Sequence, residues 1–407
     1  MRWVLVTKTG SPTSMEKSDN HQVDNAWMGR ALELARRGQG LVEPNPMVGC
    51  VIVRDGELLS EGWHQHFGGL HAEANALNRL MEKGSPTVLT TSGSTNLEGA
   101  TVYVTLEPCC HFGKTPPCVD RLLLGRPSRV VIGLEDPFPE MRGKSISLLR
   151  EAGIEVTVGV LQVEAEAVMA PYLKRQRRGL PWVIGKWAMS LDGKIATRTG
   201  SSQWISNADC REVVHRLRGR MDAIVVGIET ALTDDPMLTV RPPGLRVPLR
   251  VIIDSRARLP IASRLVQSRN EGLVIVVCGP DAKPESVAAL RDSGCEVLQI
   301  ESNERSARLE GALRNLSGRG CTNVLVEGGG TLLGDFLDHG WIDEVHAFIA
   351  PLLLGGADAP SPIAGHGVAS VAQGMRLESP CFEWLNGNIY LHGLTSKSAD
   401  VSLPEST

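Results

Sequence analysis

Apolar and polar positions follow two different periods along this chain, and the points where the period switches set out its elements. Asp24 caps a helical period that runs to about Arg37 and stops at Gly38, and the apolar run Met47 to Val53 predicts a strand turning at Asp55-Gly56. A helix follows from His71 through Leu80. Thr101 to Leu106 then reads as strand, Cys118 to Leu124 as helix, Arg129 to Leu134 as strand, Lys144 to Ala152 as helix and Ile154 to Val158 as strand. Such alternation predicts a largely parallel sheet covered on both faces.

The segment Ala170 to Pro181, with Lys174, Arg175, Arg177 and Arg178, reads as a charged, solvated connector. Beyond it the pattern begins afresh: Val183 to Ala188, Ala223 to Val226, Leu249 to Ile253, Leu273 to Val277 and Asn323 to Val326 are short apolar runs separated by turns and helical stretches, the outline of a second α/β domain. The first twenty or so residues, ending in the polar stretch Ser11 to Asn20, have no sustained period and read as a loose extension, with Met15 an alternative start. The tail beyond about Ser396 reads as disordered, and no tandem repeat is evident.

Length agrees with two domains, since 407 residues exceed the roughly 150 of one module. We set them at residues 22–165 and 180–395. A composition of 42% hydrophobic and 22% charged residues excludes wholesale disorder. The formal charge of −4, from 42 basic against 46 acidic residues, is not the footprint of a nucleic-acid or membrane-surface binder. No apolar run approaches the ~18 residues of a spanning helix, so a cytoplasmic setting is expected. Nine scattered cysteines do not make a disulfide scaffold, but Cys109, Cys110 and Cys118 crowd together.

Chemistry enters with that crowding. His71-Ala72-Glu73, Pro108-Cys109 and Cys118 offer one imidazole and two thiolates, three corners of a tetrahedral zinc whose fourth corner stays open for water. An open corner means catalysis, because zinc brings its bound water towards a pKa of roughly 7, with Glu73 placed to move protons. Two positions on a helix differ by ~200°, so His71 and Glu73 must sit at a helix start to serve one site. Cys109, after Pro108, is expected to open another helix, whose positive end favours a thiolate. The generic deaminase signature ends P-C-x-x-C, whereas Cys118 lies much farther from Cys109 here.

That long spacing and its filling, Pro108-Cys109-Cys110-His111-Phe112-Gly113-Lys114-Thr115-Pro116-Pro117-Cys118, resemble the deaminase domain of the bifunctional riboflavin-biosynthesis deaminase/reductase family. Pro44-Asn45-Pro46-Met47-Val48-Gly49 and Gly62-Trp63-His64-Gln65 look like the same family's substrate-contact motifs. The resemblance implies that His71, Cys109 and Cys118 bind zinc, that Glu73 shuttles protons, and that Asn45, His64, His111, Lys114 and Thr115 surround the substrate, with Cys110 a bystander. Lys114 offers a cation to a ribose phosphate, and the Asn45 amide can read a pyrimidine edge. Two departures stand out: Phe138 where the family usually has Asn, and Ser145 where Gly is common.

The second half carries Lys186-Trp187-Ala188-Met189-Ser190-Leu191-Asp192-Gly193-Lys194, Gly200-Ser201-Ser202-Gln203-Trp204-Ile205, His215-Arg216-Leu217-Arg218, Gly227-Ile228-Glu229-Thr230, Asp234 to Arg241, and Ile253-Asp254-Ser255-Arg256. In order, these resemble the reductase domain of the same family. Gly328-Gly329-Gly330-Thr331-Leu332-Leu333-Gly334 follows the Asn323 to Glu327 strand and fails the G-x-G-x-x-G pattern at Leu333; by itself it fits either a dinucleotide pyrophosphate or a tight structural turn. Ser255 and Arg256 fit a 2′-phosphate and hence NADP.

The resemblance implies an N-terminal cytidine-deaminase-like three-layer α/β/α domain and a C-terminal dihydrofolate-reductase-like α/β domain. It further implies that Ala188, Trp204, Thr230, Asp234, Ser255 and the turn Gly329, Gly330, Thr331, Leu332, Leu333, Gly334 and Asp335 line an NADPH cleft. Lys186, Ser202, Arg218, Leu238, Arg241 and Glu327 would hold the substrate. Asp234 either stabilises positive charge developing on the ribose carbon or serves a turn. Two consecutive steps on phosphorylated pyrimidines, zinc-dependent deamination and NADPH-dependent reduction, are the expected activity, in a homo-oligomer without nucleic-acid or membrane partners.

Overall fold

The computed structural model describes residues 12–82, 96–112, 116–138, 141–242 and 246–396, with side chains from residue 21. The chain divides between Met169 and Ala170 into two compact units. The polar tail beyond Ser396 lies outside the described residues.

The first unit contains α1 (Pro12–Arg36), β1 (Gly49–Arg54), β2 (Glu57–Trp63), α2 (Ala72–Glu82), β3 (Ala100–Leu106), α3 (Cys118–Gly125), β4 (Arg129–Leu134), α4 (Lys144–Glu151), β5 (Glu155–Val158) and the start of α5 (Gln162–Arg178). Its five described strands run in the order β2-β1-β3-β4-β5. Pairing is antiparallel for β1 with β2 and with β3, and parallel from β3 through β5, so the sheet is mixed rather than largely parallel. The cause is local: Asp55 and Gly56 take φ of 53° and 78°, the conformation of a two-residue turn that folds β2 straight back on β1.

Helices cover both faces. Ile52, Leu77, Leu80, Val102, Val104, Leu122, Ile132 and Leu149 join α2, α3 and α4 to one face in a single apolar cluster. On the other, a Cβ at Gly133 would come within 3.3 Å of both Ala165 and Met28, so bare backbone lets α1 and α5 close on the sheet.

Asp24 does not cap α1. The helix begins at Pro12, a residue suited to the first helical position, and nothing between there and Asp24 breaks it. Asp24 is instead buried, accepting two hydrogen bonds from Arg129 at 2.9 and 2.8 Å and one from the Tyr103 hydroxyl at 2.9 Å.

The expected solvated connector is also corrected. Its backbone is helical to Arg178, as the end of α5, and Lys174 is buried against the Asp343 carboxylate, which also accepts from the Val183 amide at 2.7 Å. A basic run need not be solvated when a carboxylate from elsewhere in the fold meets one of its members.

The second unit contains β6 (Trp182–Ser190), α6 (Ala208–Arg218), β7 (Ala223–Gly227), α7 (Ile228–Asp234), β8 (Leu249–Ile253), α8 (Arg264–Gln267), β9 (Val274–Cys278), α9 (Pro284–Asp292), β10 (Glu296–Gln299), α10 (Arg305–Gly318), β11 (Asn323–Glu327), α11 (Gly330–Asp338), β12 (Glu344–Ala350), β13 (Leu377–Leu385) and β14 (Asn388–Thr395). Its sheet runs β10-β9-β8-β7-β11-β6-β12-β14-β13, parallel from β10 to β12 and closed by the antiparallel hairpin β13–β14. Alternate residues of the central strands feed two apolar clusters, one on each face: Ile224, Val226 and Ile252 join one, Ala223, Val225 and Val251 the other.

Candidate active sites

The first site assembles where three chain segments meet. His71 immediately precedes α2 and Glu73 lies in its first turn, so both serve one place, as the spacing required. Cys109 lies in the loop after β3 and does not open a helix; Cys118 does, as the first residue of α3. The helix still favours the Cys109 thiolate from across the gap, because the Cys118 amide donates to Cys109 Sγ at 3.2 Å and the Val119 amide donates to its carbonyl oxygen at 3.2 Å.

His71 Nδ1 stands 3.4 Å from Cys109 Sγ and 3.5 Å from Cys118 Sγ. Bond lengths of about 2.05 and 2.3 Å put tetrahedral nitrogen and sulfur donors roughly 3.6 Å apart, so these residues fit zinc. Cys110 is outside this set and its thiol contacts the Met141 sulfur.

The electrostatics suit a metal and a proton carrier. Hydrogen bonding from Cys118, then from His71, outweighs burial and holds the Cys109 thiol down at about 4. Burial, followed by the Cys109 charge, lifts the Glu73 carboxyl to about 7.

Two polar residues are fixed beside this centre. His64 Nδ1 faces the Leu70 carbonyl at 2.9 Å, which assigns the proton there and leaves Nε2 to accept from Asn45 Nδ2 at 3.2 Å. Burial lowers the His64 pKa and keeps the ring neutral. The Asn45 amide is thereby oriented with its carbonyl oxygen uncommitted to His64. His111 is exposed and touches Met141 Sδ through Nδ1, while Lys114 and Thr115 lie outside the described residues.

Glu107, a residue the motifs did not single out, organises the neighbouring loop. Its buried carboxylate accepts from the amides of Asp136, Gly143 and Ser145 at 3.2, 2.9 and 3.1 Å and from the Ser145 hydroxyl at 2.8 Å. The Ser145 departure therefore has a structural use. The Phe138 amide donates to Asp136 Oδ1 at 2.9 Å within that loop. Adjacency to Pro108-Cys109 was the signal available for Glu107.

The second site collects at the carboxyl ends of β11, β7 and β8, where the strand order reverses and ligands bind in open α/β sheets. Arg218, ending α6, forks onto Glu327, ending β11, at 2.6 and 2.7 Å, and its third contact is the Thr239 carbonyl at 3.2 Å. Lys186 is the register partner of Glu327 on β6 and holds its ammonium 5.9 Å from the Phe348 ring centre. Burial raises Glu327, but the charge and hydrogen bonds of Arg218, then Lys186, more than offset this and hold the carboxyl at about 2. The Ser202 hydroxyl donates to Asp234 Oδ1 at 2.8 Å, and Asp234 is the last residue of α7 rather than a cap at its start.

At the glycine-rich turn, Gly328 and Gly329 take φ of 80° and 78°, and nothing lies within 4 Å of where a Gly328 Cβ would be. Backbone there is open to a ligand at the start of α11, which fits a dinucleotide pyrophosphate. Thr230 borders it, 3.2 Å from a Cβ at Gly329.

The rest of the turn is used otherwise. Leu332 and Leu333 are buried in the apolar cluster, Gly330 and Gly334 let the backbone of Ser361 and Ala364 press onto α11, and Asp335 pairs with Arg305. Leu238 is buried with φ of 54°, and Arg241 is exposed, its amide donating to His215 Nδ1 at 3.3 Å. Ala188 is half-buried on β6, Ser255 follows β8 with its carbonyl taking the Gly279 amide, and Trp204 is exposed under the Arg211 guanidinium.

An α/β/α unit carrying three donors spaced for zinc and a buried carboxyl, joined to an α/β unit with a nucleotide-type turn, defines a zinc deaminase fused to a nicotinamide-dependent reductase. Comparison with known proteins agrees. The cytidine and deoxycytidylate deaminase zinc-binding region matches residues 21–134, and the RibD C-terminal domain matches residues 181–381. The riboflavin biosynthesis protein RibD of Actinobacillus pleuropneumoniae is 38% identical over 368 residues, 90% of this chain and 94% of that protein. Its Escherichia coli (strain K12) counterpart is 39% identical over 346 residues, 82% and 89% of the two chains. Acinetobacter baumannii RibD, form 1, superposes with a TM-score of 0.78 at 35% identity, covering 92% of this chain and 99% of that one. A diaminohydroxyphosphoribosylaminopyrimidine deaminase/5-amino-6-(5-phosphoribosylamino)uracil reductase from Thermotoga maritima gives 0.76 at 35% identity, with the same coverage.

The chain belongs to the RibD family, the bifunctional deaminase/reductases of riboflavin biosynthesis, which use zinc in one half and NADPH in the other. Among the described residues, no helix is long and apolar enough to cross a membrane.

Proposed function

We propose that this enzyme deaminates 2,5-diamino-6-ribosylamino-4(3H)-pyrimidinone 5′-phosphate at C2 in its N-terminal domain (residues 22–165) and reduces the resulting 5-amino-6-(5-phosphoribosylamino)uracil at C1′ in its C-terminal domain (residues 180–395). The observation that carries the reading is the approach of His71, Cys109 and Cys118 around one point, with buried Glu73 beside them.

His71, Cys109 and Cys118 would hold a zinc ion, which would supply the Lewis acidity that activates water near neutral pH. Glu73, protonatable near 7, moves a proton to the departing amino group. Asn45, its amide turned by His64, presents its carbonyl oxygen to a pyrimidine N–H. The family resemblance assigns His111, Lys114 and Thr115 to the substrate as well, with the Lys114 cation the partner for the phosphate.

In the reductase domain, NADPH supplies the hydride. The backbone opening α11, bordered by Thr230, would hold its pyrophosphate, and Ala188, Trp204 and the Ser255-Arg256 segment would contact the rest of the cofactor. Arg218 has one N–H left on each terminal nitrogen after its contacts to Glu327 and Thr239, and these, with Lys186 and Arg241, take the substrate phosphate and ring. Asp234, oriented by Ser202, faces the charge that develops at C1′. The enzyme is a homo-oligomer packed through its reductase domains, a state that light scattering reads directly.

The test is to incubate the zinc-loaded protein with the diamino substrate and NADPH while following ammonia release and nicotinamide absorbance together. Both signals are expected. Glu73→Ala is expected to lose both with the diamino substrate and yet reduce supplied deaminated intermediate at the unaltered rate. Ammonia release by that variant at the parent rate would remove Glu73 from the mechanism.

A further inference from the structure

Outside the deaminase centre, the described residues contain one further set of three metal-type donors: Cys381, Glu383 and His392, whose ligand atoms all lie within 4.8 Å of one another. The set is a product of strand register. On β13, Cys381 stands directly opposite His392 of β14, and Glu383 follows two residues along on the same face, opposite Tyr390.

That facing depends on a bulge. Between Glu378 and Cys381 the chain advances three residues on β13 while its partners, Leu394 and His392, are only two apart, with Ser379 at φ 43°. One extra residue inverts every side chain beyond it. Without it, Phe382 rather than Cys381 and Glu383 would share the face of His392. The bulge sends the exposed Phe382 and Trp384 to the opposite face and gathers the sulfur, carboxylate and imidazole together.

The imidazole is held in place. His392 stacks on Tyr390 at 4.8 Å and lies nearly parallel to His346 at 5.5 Å. His346 is itself fixed, with Nδ1 2.6 Å from the Tyr390 hydroxyl and Nε2 2.9 Å from Glu344 Oε1, and Trp182 donates to the other oxygen of Glu344 at 3.1 Å. His392 Nε2 and Glu383 Oε1 are 3.4 Å apart, which is long for a hydrogen bond. Zinc bonds of about 2.05 Å to nitrogen and 2.1 Å to oxygen place tetrahedral donors roughly 3.4 Å apart.

We propose that Cys381, Glu383 and His392 form a second cation site of the zinc class, independent of the deaminase centre, that ties the edge strand β13 to β14. The donor set excludes magnesium and calcium, which take oxygen ligands, and the thiolate selects zinc-class ions. β13 is the last strand of its sheet and has a neighbour on one side only, so a cross-strand metal link holds what pairing alone leaves half-anchored. Cys381 is exposed, so its thiol can be reached by an ion from solvent.

The test uses the full-length protein dialysed against micromolar zinc and then assayed for metal per chain. Two equivalents are expected, falling to one in Cys381→Ser and in His392→Ala, each with deamination and reduction unchanged. In the cobalt-loaded protein, Cys381→Ser should remove part of the near-ultraviolet sulfur-to-cobalt band, and the part from Cys109 and Cys118 should remain. One equivalent in the parent protein, or two in both variants, would overturn the proposal. Each substitution is at a surface-reaching side chain, and retained catalysis in the same samples reports that the fold is intact.

Discussion

Glu73 and Glu327 are both buried carboxyls, and they shift in opposite directions. Burial, with the Cys109 charge adding to it, lifts Glu73 to about 7; at Glu327 the Arg218 fork overcomes burial and takes the carboxyl down to about 2. The second value has a consequence for stability. A carboxyl whose pKa is depressed by folding stabilises the protein above its unfolded value of 4.5, and that contribution disappears as the pH falls from there toward 2. Urea unfolding between pH 7 and pH 2.5 is therefore expected to show an acid loss on the order of 3 kcal/mol in the parent that is absent in Glu327→Gln, which is destabilised already at pH 7 because Arg218 is left buried without its partner. The candidates for metal donor and proton carrier that the fold brings together were readable, because such residues are few in kind. Glu107 was not, since its function of gathering three amides and a hydroxyl depends on a loop that only the fold brings to it.

Among the elements, α11 shows how one glycine-rich phrase divides between two uses. Gly328 is needed for its φ of 80° and stands in open space, whereas Gly334 is needed because the Ala364 carbonyl lies where its Cβ would be. Gly334→Ala is expected to cost ~1–3 kcal/mol by overpacking, measured by urea denaturation of the reductase unit. Gly328→Ala should cost only the ~1–2 kcal/mol of a left-handed backbone while weakening NADPH binding. Elements with a long clean period, such as β4 and β8, matched their sequence signals. The hairpin β13–β14 was missed because Pro380 breaks the strand pattern, although Asn386-Gly387, with φ of 45° and 91°, is the residue pair such a turn prefers. The helix expected at Cys109 begins at Cys118 instead, as proline precedes both and sequence does not choose between them.

At the level of the whole molecule, two units with separate apolar clusters carry two separate sites. Removing zinc with a chelator is expected to abolish ammonia release while reduction of supplied intermediate continues at more than half its rate, followed by nicotinamide absorbance. Parallel loss of both activities would mean that the metal holds more than the deaminase site.

The sequence by itself determined the number of units, their α/β class, the candidate zinc donors that the fold brings together and the family, because each rests on residue type and local spacing. Tertiary structure alone decided that Lys174 is buried, that Asp24 anchors Arg129 instead of capping a helix, that Glu327 and Lys186 share a row, and that Cys381 meets His392. Burial, charge pairing and strand register are set by partners distant along the chain, and no local window contains them.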